Sequence, residues 1–184
     1  MGTPTATPTH VTAVLFREAP ALERLFEVFR RLPDTSDVIL ENTHVRLDTP
    51  AGVVHASTYG APWPDMDPES LAELGGAGAG LHPGSLQRAA AQTVVWPGGA
   101  LAAEAHQGFV HLIMAEGTGT PQAQIEELER LALAMLADPA SLCLFFPWGE
   151  SLRDGHVMGH IRAAAQEQGA VPLQNWVNGR LAQS

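Results

Sequence analysis

Val45-Arg46-Leu47-Asp48-Thr49-Pro50-Ala51-Gly52-Val53-Val54-His55-Ala56-Ser57-Thr58-Tyr59 is the stretch on which the fold class turns. Two apolar-rich runs flank Asp48-Thr49-Pro50-Ala51-Gly52, where Pro50 and Gly52 supply turn geometry, so the stretch predicts a hairpin. In its second strand Val53, His55, Ser57 and Tyr59 share one face, while Val54, Ala56 and Thr58 share the other. A further short strand at 38–40 precedes it. Strands clustered in this way break the regular strand-and-helix alternation that a doubly wound parallel sheet requires. An α+β fold follows, with a largely antiparallel or mixed sheet and helices packed mainly on one face; the doubly wound fold is the competing architecture.

Working outward, residues 11–16 read as a buried strand and 18–32 switch to helical period. Leu22, Leu25, Phe26, Phe29 and Leu32 fall on one face, and Pro33-Asp34 ends the run. Ala61-Pro62-Trp63-Pro64-Asp65 is an extended connection, because the residue before each proline is pushed out of helical geometry. Short helices are expected at 67–74, 85–93 and 100–106, with Gly75-Gly76-Ala77-Gly78-Ala79-Gly80 as a loop after the first.

A strand at 109–114 leads to Thr120-Pro121, a cap followed by proline at the first helical position. The helix to Ala137 carries Ile125, Leu128, Ala132 and Met135 on one side. Residues 141–146 read as a central strand, 154–168 as a helix and 172–177 as a last strand. Strand, helix, strand order recurs on both sides of the middle, which suits two related halves sharing one sheet. Residues 1–9 form a flexible Thr/Pro-rich tail and 10–184 a single globular domain.

The chain has 184 residues, 45% hydrophobic and 16% charged, with mean hydropathy +0.00, so neither long disorder nor a membrane span is expected. Its ten basic residues are all Arg, set against 20 Asp and Glu for a net charge of −10. Absence of Lys removes Schiff-base chemistry and the phosphate-loop Lys. The acidic balance argues against nucleic acid, whose phosphates usually require a basic patch. The first ten residues lack the basic start and apolar core of a secretory signal, so a cytoplasmic location is the expectation. Cys143 stands alone in an apolar run and reads as a small buried hydrophobe.

Among residues that could carry chemistry, His156 and His160 lie four apart on a helix and project from one side, as two metal ligands would. The zinc-protease pattern would place Glu after the first His, and Val157 stands there. His106 and His111 flank the start of the 109–114 strand, and a hydrogen-bonded core role competes with ligation for both. A divalent metal held by His156 and His160, joined by His106 or His111, is the competing expectation, strengthened if all four converge; otherwise no cofactor is expected. No serine lies in a nucleophile elbow, and the glycine-rich loop lacks both the preceding strand and the following Lys of a phosphate loop. Glu23, Glu27, Glu126, Glu127 and Glu129 read as solvated helix faces. Trp63, Trp96, Trp148 and Trp176 each lie near proline or a turn, where an indole lines a partner or ligand groove or packs over sheet ends.

The order of Ala61-Pro62-Trp63-Pro64-Asp65, Trp96, His106, Phe109-Val110-His111-Leu112-Ile113, Leu133-Ala134-Met135-Leu136 and the 172–176 segment resembles the bacterial domain-of-unknown-function family 4261. The resemblance covers about the last two thirds of the chain. It implies an α+β bacterial domain with no assigned activity and carries over no catalytic residue. The functional expectation is a non-enzymatic binding module for a protein partner, for example one that neutralises a basic protein. A metal-dependent enzyme using the histidines is the alternative, and a homodimer joined by sheet edges is a third reading.

Overall fold

The computed structural model describes residues 10–65, 67–73, 83–92 and 96–177. The expected tail at 1–9 and the glycine-rich loop lie outside them. Among the described residues one seven-stranded sheet runs in the order β2-β3-β4-β5-β1-β6-β7, every neighbouring pair antiparallel. The strands are β1 (Val11–Phe16), β2 (Asp37–Leu40), β3 (Val45–Thr49), β4 (Gly52–Tyr59), β5 (Gly108–Gly117), β6 (Ser141–Phe146) and β7 (Ser151–Arg153). The expected α+β fold stands. Thr49 pairs with Gly52 across the predicted turn. Gly52 adopts φ 129°, and a Cβ there would overlap the Glu116 carbonyl of β5, so both conformation and space require glycine.

Helices α1 (Leu22–Phe29), α5 (Pro121–Met135), α6 (Gly155–Glu167) and α7 (Leu173–Trp176) cover one face. Leu25 and Phe29 of α1 and Leu128, Leu131, Ala132 and Met135 of α5 are buried there against Val14, Val54, Val110 and Leu144. The two longer helices, α5 and α6, start from side-chain caps. Thr120 accepts from Ala123 N–H at 3.2 Å and Asp154 from Val157 N–H at 2.7 Å. α2 (Pro68–Glu73) lies in the connection after β4, before α3 (Ser85–Ala91) and α4 (Gly99–Ala105). α3 and α4 cover part of the second face, over Leu15, Phe109, Cys143, Phe145 and Leu152. The helical cover is therefore heavy on one face and partial on the other.

The two halves share a start. Each runs strand, helix, strand, strand, and their first strands β1 and β5 pair at the sheet centre. Their crossovers differ. The first carries the chain from β1 to the edge strand β2, and the second carries it from β5 over β1 to β6.

Two local expectations are corrected. Residues 172–177 do not form a strand, since Leu173–Trp176 make one helical turn held by side chains from elsewhere. The short strand β7 was not foreseen. It follows a turn in which Glu150 takes φ 46°, and its three residues are too few for alternation to register. Among the described residues no helix is long and apolar enough to cross a membrane.

Candidate functional site

The four histidines occupy three separate places. His106 Nδ1 lies 2.5 Å from the Ala103 carbonyl and its Nε2 lies 2.9 Å from the Trp63 N–H. Donation by Nδ1 and acceptance by Nε2 make it a neutral imidazole with both nitrogens occupied. Burial, opposed by the Ala103 bond, holds its pKa below the ordinary value. His111 is wholly buried on the same side of the sheet, with neither nitrogen bonded among the described residues. Desolvation drops its pKa to about 3. His156 and His160 stand exposed on α6, beyond the opposite face, with their Nε2 atoms 3.1 Å apart. Among the described residues no group of three or more His, Cys, Asp or Glu could hold a metal.

His44, just before β3, and His55 of β4 lie too far apart in sequence for local spacing to couple them, yet their rings are 4.3 Å apart, with Glu41 3.5 Å from His44. Burial, then His44, lowers the pKa of His55.

The tryptophans also divide. Trp63 plugs the second-face core, edge-on to Phe109 and Phe145. Trp96 packs half-buried against the same cluster. The extended segment that carries Trp63 is thus structural. Its Asp65 carboxylate accepts from the Leu86 and Gln87 N–H groups at 2.6 and 2.8 Å, capping α3 from 21 and 22 residues away. Trp63 and Trp96 therefore line no groove with the other two.

Trp148 and Trp176 do converge. They line an apolar groove of about 410 Å³ bounded by the start of β1, the first half of α5, the turn after β6 and residues 171–177. Trp176, Phe146, Leu128, Val11 and Thr12 are its buried parts. Trp148 is 50% exposed and Leu173 57%, and Val171 and Val177 are exposed beside them. His10, Thr12 and Gln122 are the polar side chains on the lining. Burial holds the His10 pKa below its usual value, which favours a neutral ring. Single exposed apolar residues need no explanation, whereas four around one concavity make this groove the candidate site.

What orients Trp176 is a buried carboxylate, Glu129, and not the solvated helix face expected at that position. Glu129 is fully buried. Its Oε1 accepts from Arg162 at 2.8 Å and Asn175 at 3.2 Å, and its Oε2 accepts from the Trp176 indole N–H. Position 129 lies four after Ile125 and one after Leu128, on the helix's apolar stripe, so the period itself held the signal. A buried carboxylate persists only with paired charge and filled lone pairs, and here α5 receives both from α6 and α7.

The same segment is tied from β7. Ser151 Oγ donates to the Asn175 carbonyl at 3.0 Å, and Arg153 Nε and Nη2 donate to the Gln174 carbonyl at 3.0 and 2.8 Å. Gly149 closes the groove's floor, since a Cβ there would overlap the Trp176 carbonyl oxygen.

A larger cleft of about 520 Å³, with charged residues on its lining, lies between α5, α6 and the turn joining β3 to β4. Its arginines are already committed, Arg130 to Glu127 at 2.6 Å and Arg162 to Glu129 at 2.8 Å. The apolar groove is the stronger candidate because its exposed side chains have no internal partner role of this kind.

No family model matches this chain, and no curated protein or solved structure matches it either.

Proposed function

We propose that this chain is a non-enzymatic binding module, and that the occupant of its groove is a protein segment presenting an apolar anchor flanked by basic residues. The observation that carries the reading is the exposed set Trp148, Val171, Leu173 and Val177 around one concavity whose inner wall is Trp176. Aromatic residues at the centre of such a surface supply most of the binding energy in protein complexes. The groove lining carries no Asp, Glu or Arg, so recognition there is apolar. The net charge of −10 acts at longer range, speeding encounter with a cationic partner and disfavouring acidic ones.

Membership of the bacterial family named above is part of the same proposal and rests on residue order. An enzyme built on four histidines loses its geometric motive, because His106 is saturated and His111 is enclosed away from α6.

The test uses intrinsic tryptophan fluorescence and titration calorimetry with two amphipathic peptides that share Leu and Phe anchors, one flanked by Arg and one by Glu. Saturable binding of the Arg-flanked peptide is expected, weakening as salt rises, with Leu173→Asp reducing affinity by at least about tenfold through a buried charge. Equal binding of both peptides, or an affinity untouched by Leu173→Asp and Trp148→Ala, overturns the proposal.

A further inference from the structure

We infer that the outer face of α6 is a binding site for a transition-metal ion of the zinc, nickel or copper type, chelated by His156 and His160. This goes beyond the groove and does not depend on it.

The two Nε2 atoms are 3.1 Å apart, and the rings stand nearly perpendicular at 87°. At the usual metal–imidazole distance of about 2.0–2.1 Å, nitrogens 3.1 Å apart subtend an angle of about 95–100° at a shared ion. That lies between the octahedral and tetrahedral values, so the separation itself matches two ligands of one ion.

The surroundings favour access. Both histidines are exposed, while Met158 on the other side of the helix is 1% exposed and anchors it to the core. Gly159, between them in sequence, has open space where a side chain would begin. The next turn offers Ala163 and Ala164, which ligate nothing. The helix is also held from below, through Arg162 to Glu129 and through the Met158 carbonyl, which accepts from Asn175 at 3.4 Å. The chelating pair therefore sits on a fixed platform.

Two imidazoles from one turn leave the remaining coordination positions to water or to a donor from another molecule. Imidazole selects borderline ions over calcium and magnesium, which prefer oxygen. A hydrogen bond between two neutral rings is the competing account of the short distance, and it makes no demand for metal.

The experiment takes untagged full-length protein stripped with EDTA and titrates it calorimetrically with zinc chloride, followed by electron paramagnetic resonance of the copper(II)-loaded form. One saturable equivalent of zinc is expected, with coupling to two nitrogens in the copper spectrum. His156→Asn and His160→Asn should each weaken binding by at least about tenfold, as loss of one of two protein ligands demands. His55→Asn, in the other histidine pair, should leave it unchanged. Both substituted positions are exposed, so the metal-free variants should melt with the parent protein, and only the parent should gain melting temperature with zinc. No one-equivalent binding, undiminished affinity in His160→Asn, or a loss confined to His55→Asn overturns the site.

Discussion

Glu129 on one side of the sheet and His111 on the other are buried polar groups with opposite treatment. Under α5, the Glu129 carboxylate receives donors from Arg162, Asn175 and Trp176. Only Asn175 Oδ1 among these side chains lacks a partner among the described residues. On the other side, under α3 and α4, both nitrogens of His111 and the Trp63 Nε1 are buried without partners among the described residues. The first arrangement positions a surface: it fixes Trp176, which forms one wall of the groove. The second fills space, with His111 and Trp63 serving as aromatic bulk at ring-centroid separations of 6.0 Å from one another. A satisfied polar network is costly to break, whereas an unsatisfied group is costly to keep.

The largest expected effect comes from breaking the first side. Glu129→Ala strands the Trp176 indole and the Asn175 amide and releases α6, and should cost about 3–5 kcal/mol in urea unfolding. It should also abolish peptide binding by the fraction that remains folded. Glu129→Gln, which keeps the shape, should lose less. Equal stability of Glu129→Ala and the parent would remove the distinction between the two sides.

The second test concerns acid. His111 has a folded pKa of about 3 against an ordinary value of 6.5, so between these the unfolded chain binds the extra proton. Its contribution is therefore complete above about pH 6.5 and declines as pH falls towards 3, by on the order of 5 kcal/mol in total. His111→Leu should flatten this part of the stability profile, measured by urea titration at successive pH values, and should be neutral or stabilising at pH 7. A steeper acid loss in that variant would show that His111 is bonded after all.

Smaller effects follow at the groove. Gly149→Ala forces the Trp176 backbone away and should cost about 1–3 kcal/mol, with loss of the peptide-induced fluorescence change. Trp148→Ala removes an exposed side chain, so stability should stay within about 0.5 kcal/mol while peptide affinity falls severalfold. A Trp148→Ala protein that is destabilised like Gly149→Ala would place this indole in the fold instead of the binding surface.

Most elements were legible because their signals are local. Pro50 and Gly52 mark the hairpin, Thr120-Pro121 marks the start of α5, and Leu25 and Phe29 mark the inner stripe of α1. α7 escaped because a single turn has too few residues for helical period, and it is stabilised by Ser151, Arg153 and Glu129 instead of by its own propensity. Glu129 sends opposed signals, its charge pointing to solvent and its place on the apolar stripe of α5 pointing to the core. The candidate site was less legible: all four tryptophans lie near proline or a turn, and only Trp148 and Trp176 meet.

By itself, the sequence determined the exclusion of lysine chemistry, the antiparallel pairing of β3 with β4, the inner faces of the long helices and the helical spacing that brings His156 to His160. Each depends on residue type or on a period within one element. Only the tertiary structure decided that His106 spends its lone pair on Trp63, 43 residues away, and that Glu129 holds Trp176 from 47 residues away. Such pairings depend on which strands become neighbours and on which side of the sheet each connection returns, and local period carries no information about either.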